Sequence, residues 1–239
     1  MNNLTRHYCK KFNINSIENI LDVGPGYKSD GLDIKKINHS INVDILEGDD
    51  KVIEYQSKNK DIDLVFKADF SKDEFHLISD LKKYDIIFCY EVIEHVENPS
   101  LFLKKLRFLL KENGAIFLSC PTRYSEKIIF KINSNYNKNT LYPHVNFFSK
   151  NAILNLCNFN GLKVVDYKVI NFSYLILHII INIMRFSHNT SDGKIESKYW
   201  IYLHFIFAEI PRIFEKIIDY KISSFFGRNQ FFLIKLNND

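Results

Sequence analysis

The chain has 239 residues, of which 46% are hydrophobic and 25% charged, and it carries a net charge of +4. That balance is ordinary for a globular chain rather than a disordered or fibrous one, and dispersed lysines at so low a charge do not by themselves argue for a nucleic-acid partner. Four cysteines, Cys9, Cys89, Cys120 and Cys157, show no C-x-x-C spacing, so neither a zinc ribbon nor a disulfide scaffold is expected.

The N-terminus lacks the apolar core of a signal peptide. The longest apolar run, Tyr174 to Met184, falls short of a membrane span and contains His178 and Asn182. A cytoplasmic setting is expected, where thiols stay reduced.

Seven strands are expected in chain order, at 19–24, 40–45, 62–68, 84–90, 115–120, 163–170 and 231–236. Several are nearly continuous apolar runs, as in a sheet covered on both faces. The clearest helix lies between the fourth and fifth strands. Asn98 suits its N-cap and Pro99 its first position, and Phe102, Leu106, Leu109 and Leu110 make one stripe that Gly114 would end. Strands alternating with helices predict an α/β fold with a mostly parallel sheet.

Two stretches break this rhythm. Residues 122–143 read as a long polar loop. Residues 172–229 read as an apolar, aromatic insertion before the last strand. Within it Ile213, Phe214 and Ile217 share one face, opposite Arg212, Glu215, Lys216 and Asp219, with Pro211 at the start or a kink. A single domain is expected, its core at 15–170 plus 230–237 and its helical cap at 172–229.

The first strand runs into Gly24-Pro25-Gly26, in a chain with only 8 glycines. Glycines at a strand tip mark a sharp turn or the close approach of a ligand. In a parallel sheet that turn lies at the ligand-binding edge. Asp44, twenty positions after Gly24, could accept hydrogen bonds from both hydroxyls of a ribose, so the ligand should contain a nucleoside. The dinucleotide fingerprint fails, because Ser29 stands where G-x-G-x-x-G needs its third glycine.

From "ILDVGPG" at Ile20, through "VDI" at Val43, "KADF" at Lys67 and "YDIIFCYEVIEHVENP" at Tyr84, the sequence resembles the class I S-adenosylmethionine-dependent methyltransferases. The similarity is greatest to the group that includes ubiquinone-pathway methyltransferases. It continues through "LFLKKLRFLLKENGAIFLSCP" and "HVNFFSKNAILNLCNFNGLKVVD", and so covers about residues 18 to 170. It implies a Rossmann-like seven-stranded sheet with helices on both faces, and S-adenosylmethionine as cofactor. Asp22, Gly24, Pro25 and Gly26 would shape the methionine end. Asp44 would hold the ribose and Ile45 would lie against the adenine. Asp69 would bond the adenine amino group, with Phe70 nearby, and Tyr90 and Glu91 would border the sulfonium.

A hydroxyl acceptor must lose its proton as the new bond forms, which nominates His95 and His144 as bases. Glu91, Glu94 and His95 have i, i+3, i+4 spacing, and on a helix they could join His144 around a divalent metal. The same string caps a helix in relatives without metal, and no metal is taken forward.

The expected acceptor is a small molecule, with a sugar or glycan-precursor hydroxyl favoured by analogy. Residues 172–226 could alternatively touch a membrane surface as an interfacial helix. Two other readings remain open. One is an RNA 2′-O-methyltransferase using Lys127, Lys131 and Lys138 near Tyr124 and Tyr136; the other is a non-catalytic interaction module on the same fold.

Overall fold

The computed structural model describes residues 5, 12–68, 82–135, 137, 142–171, 175–176, 179–180 and 226–237. Among them seven strands form one sheet: β1 (Asn19–Val23), β2 (Asn42–Glu47), β3 (Leu64–Lys67), β4 (Tyr84–Tyr90), β5 (Leu110–Pro121), β6 (Leu162–Ile170) and β7 (Asn229–Leu236). Their order across the sheet is β3-β2-β1-β4-β5-β7-β6. The ladders joining β1 to β2, β1 to β4, β2 to β3 and β4 to β5 are all parallel. This is the α/β, mostly parallel sheet expected from the alternating pattern, with the Rossmann-like form that the resemblance implied.

Strand order reverses at β1, which has β2 on one side and β4 on the other. In an open parallel sheet, such a reversal leaves a crevice beyond the carboxyl ends of the strands. The residues following β1, β2 and β4 therefore form the region to search for a ligand.

The continuous apolar runs are explained by two-sided burial. Ile20, Leu21, Ile45, Leu46, Ile86, Ile87, Ile116 and Phe117 are fully buried. Each such side chain contributes about 1.5–3 kcal/mol relative to exposure. Cys89, Cys120 and Cys157 are free thiols buried in this packing, where they act as small hydrophobes.

Four of the helix starts have a local cause. In α1 (Asp30–Lys35) the Ser29 side chain accepts from Leu32 N, and in α2 (Asp50–Ser57) the Asp49 carboxylate accepts from Lys51 N and Val52 N. The helix α3 (Pro99–Leu109) begins as expected, with Asn98 accepting from Leu101 N and Pro99 leading. In α4 (Arg123–Ile132) Thr122 accepts from Ser125 N, and α5 (Lys150–Phe159) precedes β6. Short 3₁₀ turns form at Ile14–Ser16 and Ile93–His95.

Three expectations differ from the structure. The second strand runs to Glu47 rather than stopping at 45. Residues 122–143 are not all loop, because the Thr122 cap and the buried Ile129 support α4. Gly114 does not end α3. That helix stops at Leu109, and Gly114 lies within β5, where a Cβ would fall 2.7 Å from Leu110 Cδ1 and 2.9 Å from the Tyr84 carbonyl oxygen. The glycine there permits close backbone approach. The expected amphipathic helix at Ile213 and Phe214 lies outside the described residues, as does most of 172–229.

The chain divides into two compact units. The first comprises Met1–Cys120, Asn151–Asp166 and Phe232–Asp239, and the second Pro121–Lys150 and Tyr167–Phe231. Among the described residues, no helix is long and apolar enough to cross a membrane.

Candidate active site

In the first unit, β1 delivers the chain into Gly24-Pro25-Gly26, and both glycines have a φ of +60°. For a residue with a side chain, that backbone costs about 1 kcal/mol. At Gly26 a Cβ would meet nothing within 4 Å, so the backbone is open on that side to close approach by a ligand.

The turn is tied down from below by Asp22. Its Oδ2 accepts from Ser29 Oγ and, at 3.0 Å, from Gly31 N. Burial pushes the Asp22 carboxyl up to about 7, against the lowering effect of these two bonds. Gly31 itself packs tightly, since a Cβ there would sit 3.0 Å from Ile20, 3.1 Å from Asp22 Oδ2 and 3.1 Å from Val43. It lets α1 lie close on β1 and β2, the packing role of the third fingerprint glycine. The sequence reading missed it because it stands two positions beyond the expected place.

The carboxyl end of β2 brings Glu47 to the same turn. Its Oε2 accepts from Gly26 N at 3.1 Å, while Oε1 accepts from Gly48 N at 2.8 Å and Asp49 N at 3.2 Å. Gln56 of α2 donates to Gly26 O at 2.6 Å. An acid at the end of the second strand thus touches the glycine turn, and that acid is Glu47.

Asp44 stands elsewhere. It pairs with Leu21 in mid-sheet and is fully buried. Its Oδ2 accepts from Tyr84 OH at 2.8 Å and pairs with Lys82 Nζ at 3.1 Å. Burial raises the Tyr84 phenol pKa, and the neighbouring Asp44 charge adds to the rise. Ile45 is likewise fully buried, paired with Asp22. The structure therefore brings Asp22, Gly24, Pro25 and Gly26 together with Glu47, but not with the Asp44 carboxylate. Asp69 and Phe70 lie outside the described residues.

At the end of β4, the Tyr90 hydroxyl lies 2.8 Å from Thr5 Oγ, which also donates to Asp30 at 3.1 Å. Glu91 adopts a φ of +55° just after the strand. Its backbone N donates to Ser119 O at 3.0 Å, and Ser119 Oγ donates back to its carboxylate at 2.8 Å. A non-glycine residue in this region is a strained feature of the kind that clusters at functional sites. Residues 93–95 form a 3₁₀ turn, so the Glu91, Glu94 and His95 spacing does not fall on an α-helical face. Glu94 is buried and His95 half-buried in that turn.

His144 belongs to the second unit. Its Nδ1 lies 2.9 Å from Glu126 Oε2, and Glu126 Oε1 accepts from Arg228 Nη1 at 2.5 Å. The Glu126 carboxylate is buried, which by itself would raise its pKa. The bonds and charges of His144 and Arg228 outweigh burial and hold it below the usual carboxylate value. Sequence reasoning missed Glu126 because the segment read as loop.

Comparison with known proteins follows this geometry. The family described as a methyltransferase domain matches residues 5–167. Ubiquinone biosynthesis O-methyltransferases are among the relatives. That of Glaesserella parasuis serovar 5 is 47% identical over 55 residues, or 23% of this chain and 22% of its own length. That of Pelagibacter ubique is 31% identical over 78 residues, which is 33% of this chain and 30% of the relative. The chain thus covers less than a third of these two proteins. A Rickettsia bellii relative of the same name is 25% identical over 193 residues, spanning 77% of this chain and 74% of its own.

Two solved structures share the fold. A mycolic acid cyclopropane synthase complexed with SAH has a TM-score of 0.63 at 14% identity, over 97% of this chain and 82% of that one. An O-methyltransferase from a trans-AT PKS multienzyme of Brevibacillus brevis, in complex with S-adenosyl-L-homocysteine, scores 0.62 at 16% identity, over 98% and 71%.

The chain belongs to the methyltransferase-domain family, as a class I S-adenosylmethionine-dependent member.

Proposed function

We propose that this chain transfers a methyl group from S-adenosylmethionine to a hydroxyl of a small molecule. The observation that carries the reading is the junction of the positive-φ glycine turn with the Glu47 carboxylate at the switch point of the sheet. These residues fit the cofactor. Gly26 leaves room at the backbone, and an ionised carboxylate offers about four acceptor sites, so beside its three backbone partners Glu47 keeps one for a ribose hydroxyl.

In this assignment Glu47, not Asp44, takes the ribose, and Gly48 takes the adenine-facing position given to Ile45. Asp22 acts through Ser29 and Gly31 to hold the shape of the turn. Tyr90 and Glu91 retain their places at the end of β4, beside the reacting centre. The bound cofactor supplies an electrophilic methyl on a sulfonium, so the protein's main contribution is alignment, worth several kcal/mol of barrier. His95 and His144 are the candidate bases for the acceptor proton.

Support for oxygen as the acceptor atom comes from the relatives, which are named as O-methyltransferases. A phenolic hydroxyl and a sugar hydroxyl of a glycan precursor are the two acceptor classes to try. Purified full-length protein should be incubated with methyl-labelled S-adenosylmethionine and panels of catechols and nucleotide sugars. Acceptor-dependent S-adenosylhomocysteine formation with label on oxygen supports the proposal. Label on nitrogen or carbon would overturn its O-methylation part.

A further inference from the structure

We propose that Gln56 is a positioning residue for the cofactor turn. Its amide fixes the Gly26 carbonyl, so that the turn is already shaped for the methionine end of S-adenosylmethionine before the cofactor arrives. This rests on the proposed reading of the Gly24–Gly26 turn and Glu47 as the cofactor site. All the groups involved lie in the first unit.

Gln56 is a residue type that its position does not call for. It stands four residues after Val52 in α2, and these two are the helix's buried residues. They share one helical face, which an apolar side chain would complete. Gln56 instead puts an amide there, only 1% exposed. A buried amide costs stability unless it finds partners. Its partner is Gly26 O, which accepts from Nε2 at 2.6 Å.

Gly26 depends on such a partner. It has no side chain to pack, and its φ is +60°. Glycine adopts positive and negative φ about equally readily, so its own peptide groups must be held from outside. Gly26 N donates to Glu47 Oε2 at 3.1 Å, and Gly26 O accepts from Gln56. Both polar groups are thus gripped, while a Cβ on the remaining side would meet nothing within 4 Å. That open side is left for a ligand. A loop fixed in its bound shape beforehand pays less ordering cost on binding.

The two grips belong to one stretch of chain. Glu47 ends β2, its Oε1 accepts from Asp49 N at 3.2 Å, and the Asp49 carboxylate caps the helix that carries Gln56. Tyr55 also meets Tyr27 edge-on, with ring centroids 5.2 Å apart, but these rings are 54% and 58% exposed. The buried amide is therefore the firmer tie between α2 and the turn. A brace that served stability alone would not discriminate between ligands that differ only at the methionine end.

Isothermal titration of full-length Gln56→Met, which keeps the side-chain length and removes the donor, should be run with two ligands. S-adenosylhomocysteine carries the amino-acid end, and 5′-methylthioadenosine lacks it. Circular dichroism establishes folding. Affinity for S-adenosylhomocysteine should fall about tenfold, for one hydrogen bond lost, while that for 5′-methylthioadenosine stays within about threefold. Equal loss of both ligands, or unchanged affinity for S-adenosylhomocysteine, would overturn the positioning role. Glu47→Gln separates that failure from failure of the site, because it should weaken both ligands through their shared ribose. If Glu47→Gln weakens both and Gln56→Met neither, the site stands and the role of Gln56 falls. If neither variant changes either affinity, the site is misassigned and the role of Gln56 falls with it. Should Gln56→Met not fold, Gln56→Asn, whose amide is drawn back by one methylene, is held to the same outcomes.

Discussion

Replacing Glu47 with Gln should weaken S-adenosylhomocysteine binding by about 10- to 100-fold. Its carboxylate sits 3.1 Å from Gly26 N, 2.8 Å from Gly48 N and 3.2 Å from Asp49 N. The amide removes the charge and one acceptor oxygen. A hydrogen bond to a charged group contributes about 1.5–3 kcal/mol, and each 1.4 kcal/mol is a tenfold change, which gives the stated range for one ribose bond lost. Asp44→Asn is the matched control. It removes the Lys82 ion pair at 3.1 Å but can retain the Tyr84 bond, so it should lower the melting temperature while leaving affinity within about threefold. Isothermal titration of both variants, with circular dichroism to establish folding, reads the outcome. The assignment is refuted if Asp44→Asn loses the ligand and Glu47→Gln keeps it.

Asp22 predicts an unusual pH dependence. Burial raises its pKa from 3.8 to about 7, so the folded state binds the proton more tightly than the unfolded one. The stability this gives is fully present below about pH 4 and is lost as pH rises through about 7, by about 4 kcal/mol in all. Asp22→Asn should remove this fall from denaturant midpoints measured between pH 4 and 8; an unchanged slope would count against it. Glu126 acts in the opposite sense. Its folded pKa is lowered, so its contribution is present above the usual carboxylate value and fades as pH drops through the folded one. Acid unfolding should accordingly begin at higher pH in Arg228→Gln, which loses one lowering partner. Gly31→Ala should cost about 1–3 kcal/mol of stability, because its Cβ would press on Ile20, Asp22 and Val43; a neutral effect by chemical denaturation would show that α1 can shift.

The sheet was legible because strands buried on both faces, such as β1 and β4, leave continuous apolar runs, and six of the seven strands were placed within two residues of their observed ends. The site was legible only as far as those boundaries were right. Reading β2 to end at 45 rather than 47 put Asp44 at the end of that strand. In the structure Glu47 meets the glycine turn there, and Asp44 lies inside the sheet, bonded to Tyr84. Local composition could have signalled this, since Glu47-Gly48-Asp49 reads as a strand end followed by a helix cap. Gly31 was hidden by a two-residue lengthening of the turn. The Glu126–Arg228 pair was not legible at all, because its partners are 102 positions apart and each is an ordinary charged residue until burial joins them. Apolar stripes were easier at α3 than at α4, where the Asn-rich tract at 133–140 drew the boundary too early.

The central claim is that the Gly24–Gly26 turn and Glu47 build an S-adenosylmethionine site. The most direct measurement is calorimetric titration of the full-length protein with S-adenosylmethionine, with NAD and ATP as controls. The account predicts micromolar, one-to-one binding of S-adenosylmethionine and none of the controls. Folded protein that ignores S-adenosylmethionine, or binds NAD equally well, would contradict it.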